Sequence, residues 1–187
     1  MSTAPFPSPH LHICCICAER PLVGRLAQTR DLPWGSRSNN LTVRFMKICS
    51  HKGLRVSLFT RNEHCPPHVH VGNGHWDARF RFSFWHNGVA LWDVNPLWIA
   101  PAASLLEELR QVIEQPVNLR LARQRWWLSQ QSVCLDHQHW DKDSEEVVSP
   151  SVWRRNAVAI LRARYVPLSD RTELQLAGQA RPLEIEL

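Results

Sequence analysis

Asn62-Glu63-His64-Cys65-Pro66-Pro67-His68-Val69-His70-Val71-Gly72-Asn73-Gly74-His75-Trp76-Asp77, continued by Ala78-Arg79-Phe80-Arg81-Phe82, is the stretch that decides the fold. Val69 and Val71 alternate with His68 and His70, and Trp76, Ala78, Phe80 and Phe82 alternate with Asp77, Arg79 and Arg81. A period of two marks strands with one apolar face. Asn73-Gly74 is a signal for a two-residue hairpin loop, since both central residues of a type I′ turn need positive φ. That register sets His70 opposite Asp77, Val71 opposite Trp76 and His68 opposite Arg79. Every apolar residue then falls on one face and every polar residue on the other. A one-residue slip would destroy the agreement.

Upstream, Val43, Phe45, Leu54, Val56 and Leu58 alternate across His51-Lys52-Gly53, which predicts an earlier hairpin. Downstream, Asn87-Gly88 turns the chain into a strand over 89–94. Leu105, Leu106, Leu109, Val112 and Ile113 then follow a helical spacing, with Pro101 suiting the helix start and Pro116 ending or kinking it. A second helix is predicted over 117–129. The fold class is therefore α+β: a small, mainly antiparallel sheet packed by one or two helices over residues 41–129.

The flanks read differently. Residues 1–40 carry scattered prolines and no periodicity, which predicts a disordered extension, or a translation start at Met46. Within them, His10 to Cys17 holds metal-binding residue types in a spacing that matches none of the usual zinc patterns. Residues 130–149 are polar and acidic and read as a linker. Residues 150–187 read as a short basic helix over 153–164 followed by a hairpin whose strands alternate Leu174, Leu176 and Leu183, Ile185, Leu187 across Gly178.

At 187 residues, one domain with extra terminal segments is the default. No apolar run approaches the ~20 residues of a membrane span, and the first residues lack a signal-peptide pattern, so the expected compartment is the cytoplasm. Six irregularly spaced cysteines then read as reduced thiols. The net charge of +5 favours a polyanionic partner, RNA or DNA, or an acidic protein. Lysine occurs only three times among the 22 basic residues, and arginine suits phosphate because it binds bidentately.

Four of the ten histidines lie between His64 and His75. His68 and His70 share a strand face about 7 Å apart, and Asp77 beside His70 would fix its tautomer and raise its basicity. Three readings stay open. His64, His68 and His70 bind zinc or another divalent ion, with Asp77 behind them or as a fourth ligand. Alternatively, His68, His70 and Asp77 transfer protons while Arg79 and Arg81 hold a phosphodiester, as in a metal-independent ribonuclease. Otherwise the rings are hydrogen-bonded groups at a binding or packing face. Arg120, Arg123 and Arg125, beside Trp126, form with the strand arginines the candidate surface for nucleic acid or a partner protein.

The run Asn62-Glu63-His64-x-Pro66-Pro67-His68-Val69-His70-Val71 resembles the signature of a small bacterial family, domain-of-unknown-function family 4160, with Glu63 where Asp is frequent. The likeness extends from about Met46 to Trp126. It implies a hairpin, the motif, further strands and one or two helices. The family has no firmly assigned activity, and its genes often lie beside a second small gene in a layout that looks like a toxin–antitoxin pair. The last residues, Arg164 to Leu187, look faintly like the start of that neighbour, which would make the chain a fusion. The resemblance thus implies a toxin–antitoxin-like component engaging nucleic acid or the neighbouring gene's product, with a metal-dependent hydrolase or nuclease and a non-catalytic interaction module as the alternatives.

Overall fold

The computed structural model describes residues 45–61 and 63–187. The readings for residues 1–40, including His10 to Cys17, and for Val43 lie outside the described residues.

The first sheet is an antiparallel meander, β1 (Phe45–His51), β2 (Leu54–Phe59), β3 (His68–Gly72), β4 (Asp77–Phe82) and β5 (Val89–Asn95), in sequential order. Lys52 and Gly53, at φ 47 and 79, make the first turn, as their positive φ requires of a two-residue loop. After a 3-10 turn at Leu97–Ile99 come α1 (Ala103–Glu114) and α2 (Pro116–Gln130). Pro116 both ends α1 and begins α2. Gln115 ahead of it is extended, as a residue before proline prefers, and proline loses nothing at a helix's first position.

The apolar strand residues Val56, Leu58, Val69, Val71, Ala78 and Phe80 are fully buried and join Leu109, Ile113, Leu119 and Trp126 of the helices in one core. The α+β class and the hairpin order are those read from the sequence.

The β3–β4 register differs from the expected one by two residues. Gly72 pairs with Asp77, Val71 with Ala78, His70 with Arg79 and His68 with Arg81. The loop is Asn73–Trp76 rather than Asn73–Gly74. The Asn73 side-chain oxygen accepts from the amides of His75 and Trp76, and Gly74 takes φ 89. A shift of two preserves which side chains share a face, so the histidines and valines still point apart. The loop also folds tightly over Gly72. A Cβ there would meet the Trp76 carbonyl oxygen at 2.5 Å.

The region after α2 is not a linker and a basic helix. It is a second antiparallel sheet, ordered β10-β9-β8-β6-β7, from β6 (His139–Asp141), β7 (Glu146–Val148), β8 (Ala157–Val166), β9 (Arg171–Leu176) and β10 (Leu183–Glu186). β8 is flanked by β6 and β9, and these cross-strand pairings override the helix propensity of its Ala, Leu and Arg. The expected terminal hairpin is β9–β10, with Leu183 opposite Leu174. No described helix is long and apolar enough to cross a membrane.

Candidate metal centre

The centre forms where the loop between β2 and β3 folds back onto the polar face of β3. Glu63 is placed first: its Oε1 accepts the Phe59 amide at 2.8 Å. Its Oε2 lies 2.9 Å from Nε2 of His68, and its Oε1 lies 3.6 Å from Nε2 of His70. The side chains of Glu63 and His68 are 2% and 1% exposed, and that of His70 is 13% exposed.

The opposite ring nitrogens are already committed. Nδ1 of His68 donates to the Pro66 carbonyl at 2.9 Å, and a carbonyl can only accept, so Nδ1 carries a proton. Nδ1 of His70 donates to Oδ2 of Asp77 at 2.8 Å. Both Nε2 atoms therefore converge on one carboxylate, and something positive has to lie there, a proton or a metal ion.

Burial pushes the Glu63 carboxyl upward, but hydrogen bonds to His68, His70 and the Phe59 amide outweigh it and hold the group at about 2. Burial likewise pulls His70 down, and its bonds to Asp77 and Glu63 overcome this and raise it to about 9.

Glu63, His68 and His70 bring three ligand-type atoms within 4.8 Å of one another. Bonds of about 2.0–2.2 Å set tetrahedral ligand atoms roughly 3.3 Å apart. The 2.9 and 3.6 Å separations, each to a different Glu63 oxygen, lie on either side of that value, so the carboxylate faces both imidazoles. Asp77 stands behind His70 as an orienting carboxylate.

His64, the third histidine expected to ligate, is exposed and outside the ligand cluster. Its ring instead lies 5.4 Å from His68 and 5.7 Å from Trp92. Glu63 takes the place expected of His64. The sequence signal was a carboxylate inside the motif, one residue away. Phe59 against His70, at 4.3 Å, and Trp92 against His68, at 5.1 Å, form the aromatic walls.

The arginines do not assemble as expected. Arg79 forms a bidentate pair with Asp93, and its Cζ sits 4.4 Å over the Trp92 ring, so its head is already occupied. Arg81 shares the histidine face opposite His68 and is half-buried. Arg123 is 1% exposed. It donates to the Ser83 and His86 carbonyls and the Asn87 side chain, and lies 3.8 Å from Asp170. Trp126 is also 1% exposed and donates to the Ser132 carbonyl. Leu119, Ala122, Arg123 and Trp126 follow the spacing of one helix face, and that face is the buried one. Arg120 is exposed and bonds to the Leu168 carbonyl, and Arg125 is half-buried. With Arg123 and Trp126 buried and Arg79 paired, the six do not form a common surface.

Cys65 and Cys134, expected as thiols, are joined in a disulfide with Cα atoms 5.6 Å apart. The fold brings the site loop and the turn after α2 together across 69 residues of sequence. Cys49 is free and half-buried.

No family model matches the chain, and neither a curated protein nor a solved structure does.

Proposed function

We propose that the protein is a divalent-metal hydrolase whose centre is Glu63, His68 and His70, with Asp77 orienting His70. The observation that carries this reading is the paired orientation of the two imidazoles. Each has its Nδ1 fixed by an oxygen, leaving both Nε2 atoms directed at the Glu63 carboxylate. Two imidazoles and one carboxylate suit zinc, with a fourth position free for water. A metal held there would lower the pKa of that water toward about 7 and supply a hydroxide nucleophile. His64, exposed and with its ring 5.4 Å from that of His68, would exchange protons with a leaving group. Arg81 is the arginine on this face for an anionic substrate, which favours a phosphoester over a neutral one. Untagged protein should bind one zinc per chain and hydrolyse a generic phosphodiester. Glu63→Gln should lose both properties, and retention of either would remove Glu63 from the centre.

Partner binding is favoured by a separate observation. Leu97, Trp98 and Ile99 are 75%, 86% and 42% exposed on the 3-10 turn. Three consecutive exposed apolar residues fit a protein partner better than a nucleic acid. This favours the protein-partner form of the expected binding over the nucleic-acid form. Trp98→Glu should abolish association with the product of an adjacent gene while leaving zinc content unchanged.

A further inference from the structure

Cys65 lies between two residues of the metal centre, two positions after Glu63 and three before His68. Its partner is on firmer ground. Cys134 is flanked by Val133 and Leu135, each 2% exposed, and its amide donates to the Ser132 hydroxyl. The Ser132 carbonyl accepts from Trp126, whose ring lies 5.7 Å from His68. His64 and Cys65, by contrast, are exposed. Apart from the disulfide and the contacts of Glu63 with His68 and His70, the loop is tied by the Phe59 amide to Glu63, the Pro66 carbonyl to His68 and the Pro67 carbonyl to Phe82. The covalent tie joins a half-buried residue, held between two buried neighbours, to the exposed tip of a loop that carries Glu63.

We propose that the Cys65–Cys134 disulfide is a redox latch on this centre, and that its reduction weakens divalent-metal binding. The proposal rests on the metal reading given above. In the step, a dithiol reductant attacks one sulfur, the Cys65–Cys134 bond breaks, and a mixed disulfide forms. The reductant's second thiol then releases both cysteines as thiols and leaves as its own cyclic disulfide. Two electrons and two protons pass to the protein. Cys134 stays held by its buried neighbours, while the 63–67 loop loses its covalent anchor and Glu63 is held less firmly against the two Nε2 atoms. Linkage makes the effect reciprocal. If the latch tightens metal binding by a given factor, metal binding protects the disulfide by the same factor.

The test uses the full chain. Peptide mapping of unreduced protein first locates the Cys65–Cys134 link, and its absence overturns the proposal. Zinc affinity is then measured before and after reduction with a phosphine, which does not compete strongly for zinc. A Cys65→Ser, Cys134→Ser variant is measured alongside. Hydrogen exchange at residues 63–71 is followed without metal in each state. Reduction should lower zinc affinity by about tenfold or more and speed exchange in that segment, and the variant should match the reduced protein and ignore the phosphine. Should the variant not fold, the phosphine-treated natural chain carries the comparison. Equal affinity and equal exchange in both states would overturn the latch while leaving the metal centre standing. Tighter binding after reduction, with the Cys65 thiolate as a new ligand, would also overturn it. Faster exchange with no zinc bound in either state would overturn both the metal centre and the proposed effect on it.

Discussion

Nε2 of His68 lies 2.9 Å from Oε2 of Glu63, while Nδ1 of the same ring is held 2.9 Å from the Pro66 carbonyl oxygen. The ring is gripped by the loop on one side and presented to the loop's own carboxylate on the other. The Pro66 carbonyl thus orients the His68 ring, while the Phe59 amide holds the carboxylate that faces it. Asp77 does for His70 what Pro66 does for His68.

Asp77→Asn should lower metal affinity by about 10–100-fold without removing a ligand, because it takes away the carboxylate that orients and charges the His70 ring. Calorimetric zinc titration would show this. An unchanged affinity would mean that His70 does not bind through Nε2.

The metal-free protein should have a stability plateau with two edges. Glu63 is lowered to about 2 from an ordinary 4.5, so its contribution is present above 4.5 and lost as the pH falls toward 2. His70 is raised to about 9 from an ordinary 6.5, so its contribution is complete below 6.5 and lost as the pH rises through 9. Melting temperature against pH would reveal both edges, and His70→Gln should erase the alkaline one.

Much of this was legible in the sequence, and its failures have physical causes. The face assignment of His68, His70, Val69 and Val71 rests only on the period of two, so it survived a register shifted by two. The shift itself was hidden because Asn73-Gly74 looks like a complete turn. The extra residues are recruited by the Asn73 side chain, which no pattern of apolar residues encodes. Glu63 lies outside any strand, so periodicity could not assign it a side. β8 was misread because Ala157 to Arg164 is rich in good helix formers, while its strand state depends on cross-strand partners on both sides, such as Trp140 opposite Val158 and Thr172 opposite Tyr165. Arg123 was legible in principle. It falls four residues after Leu119 and three before Trp126, on the helix's inner face, and its charge concealed that position.

Arg123→Ala should cost about 3–5 kcal/mol, because it removes a buried guanidinium from the Ser83 and His86 carbonyls and the Asn87 side chain and leaves Asp170 without its counter-charge. Arg120→Ala, at an exposed site, should cost no more than about 0.5 kcal/mol. Urea denaturation of the two variants would separate a core arginine from a surface one, and equal small losses would contradict the burial.

Gly72→Ala should destabilise the β3–β4 hairpin by about 1–3 kcal/mol, since its Cβ has no room beneath the Trp76 carbonyl. A neutral effect in the same denaturation assay would indicate the shorter two-residue loop instead.

Reduction of the Cys65–Cys134 bond should lower stability by up to about 4 kcal/mol, the chain entropy that a loop of this length returns to the unfolded state. Melting with and without a phosphine would measure it.

Metal content decides whether the centre exists: untagged protein is equilibrated with zinc, gel filtered and analysed, with the His68→Ala variant alongside. One zinc per natural chain and none in the variant is the expected result. No zinc in the natural chain, or equal zinc in both, would contradict a centre built from Glu63, His68 and His70.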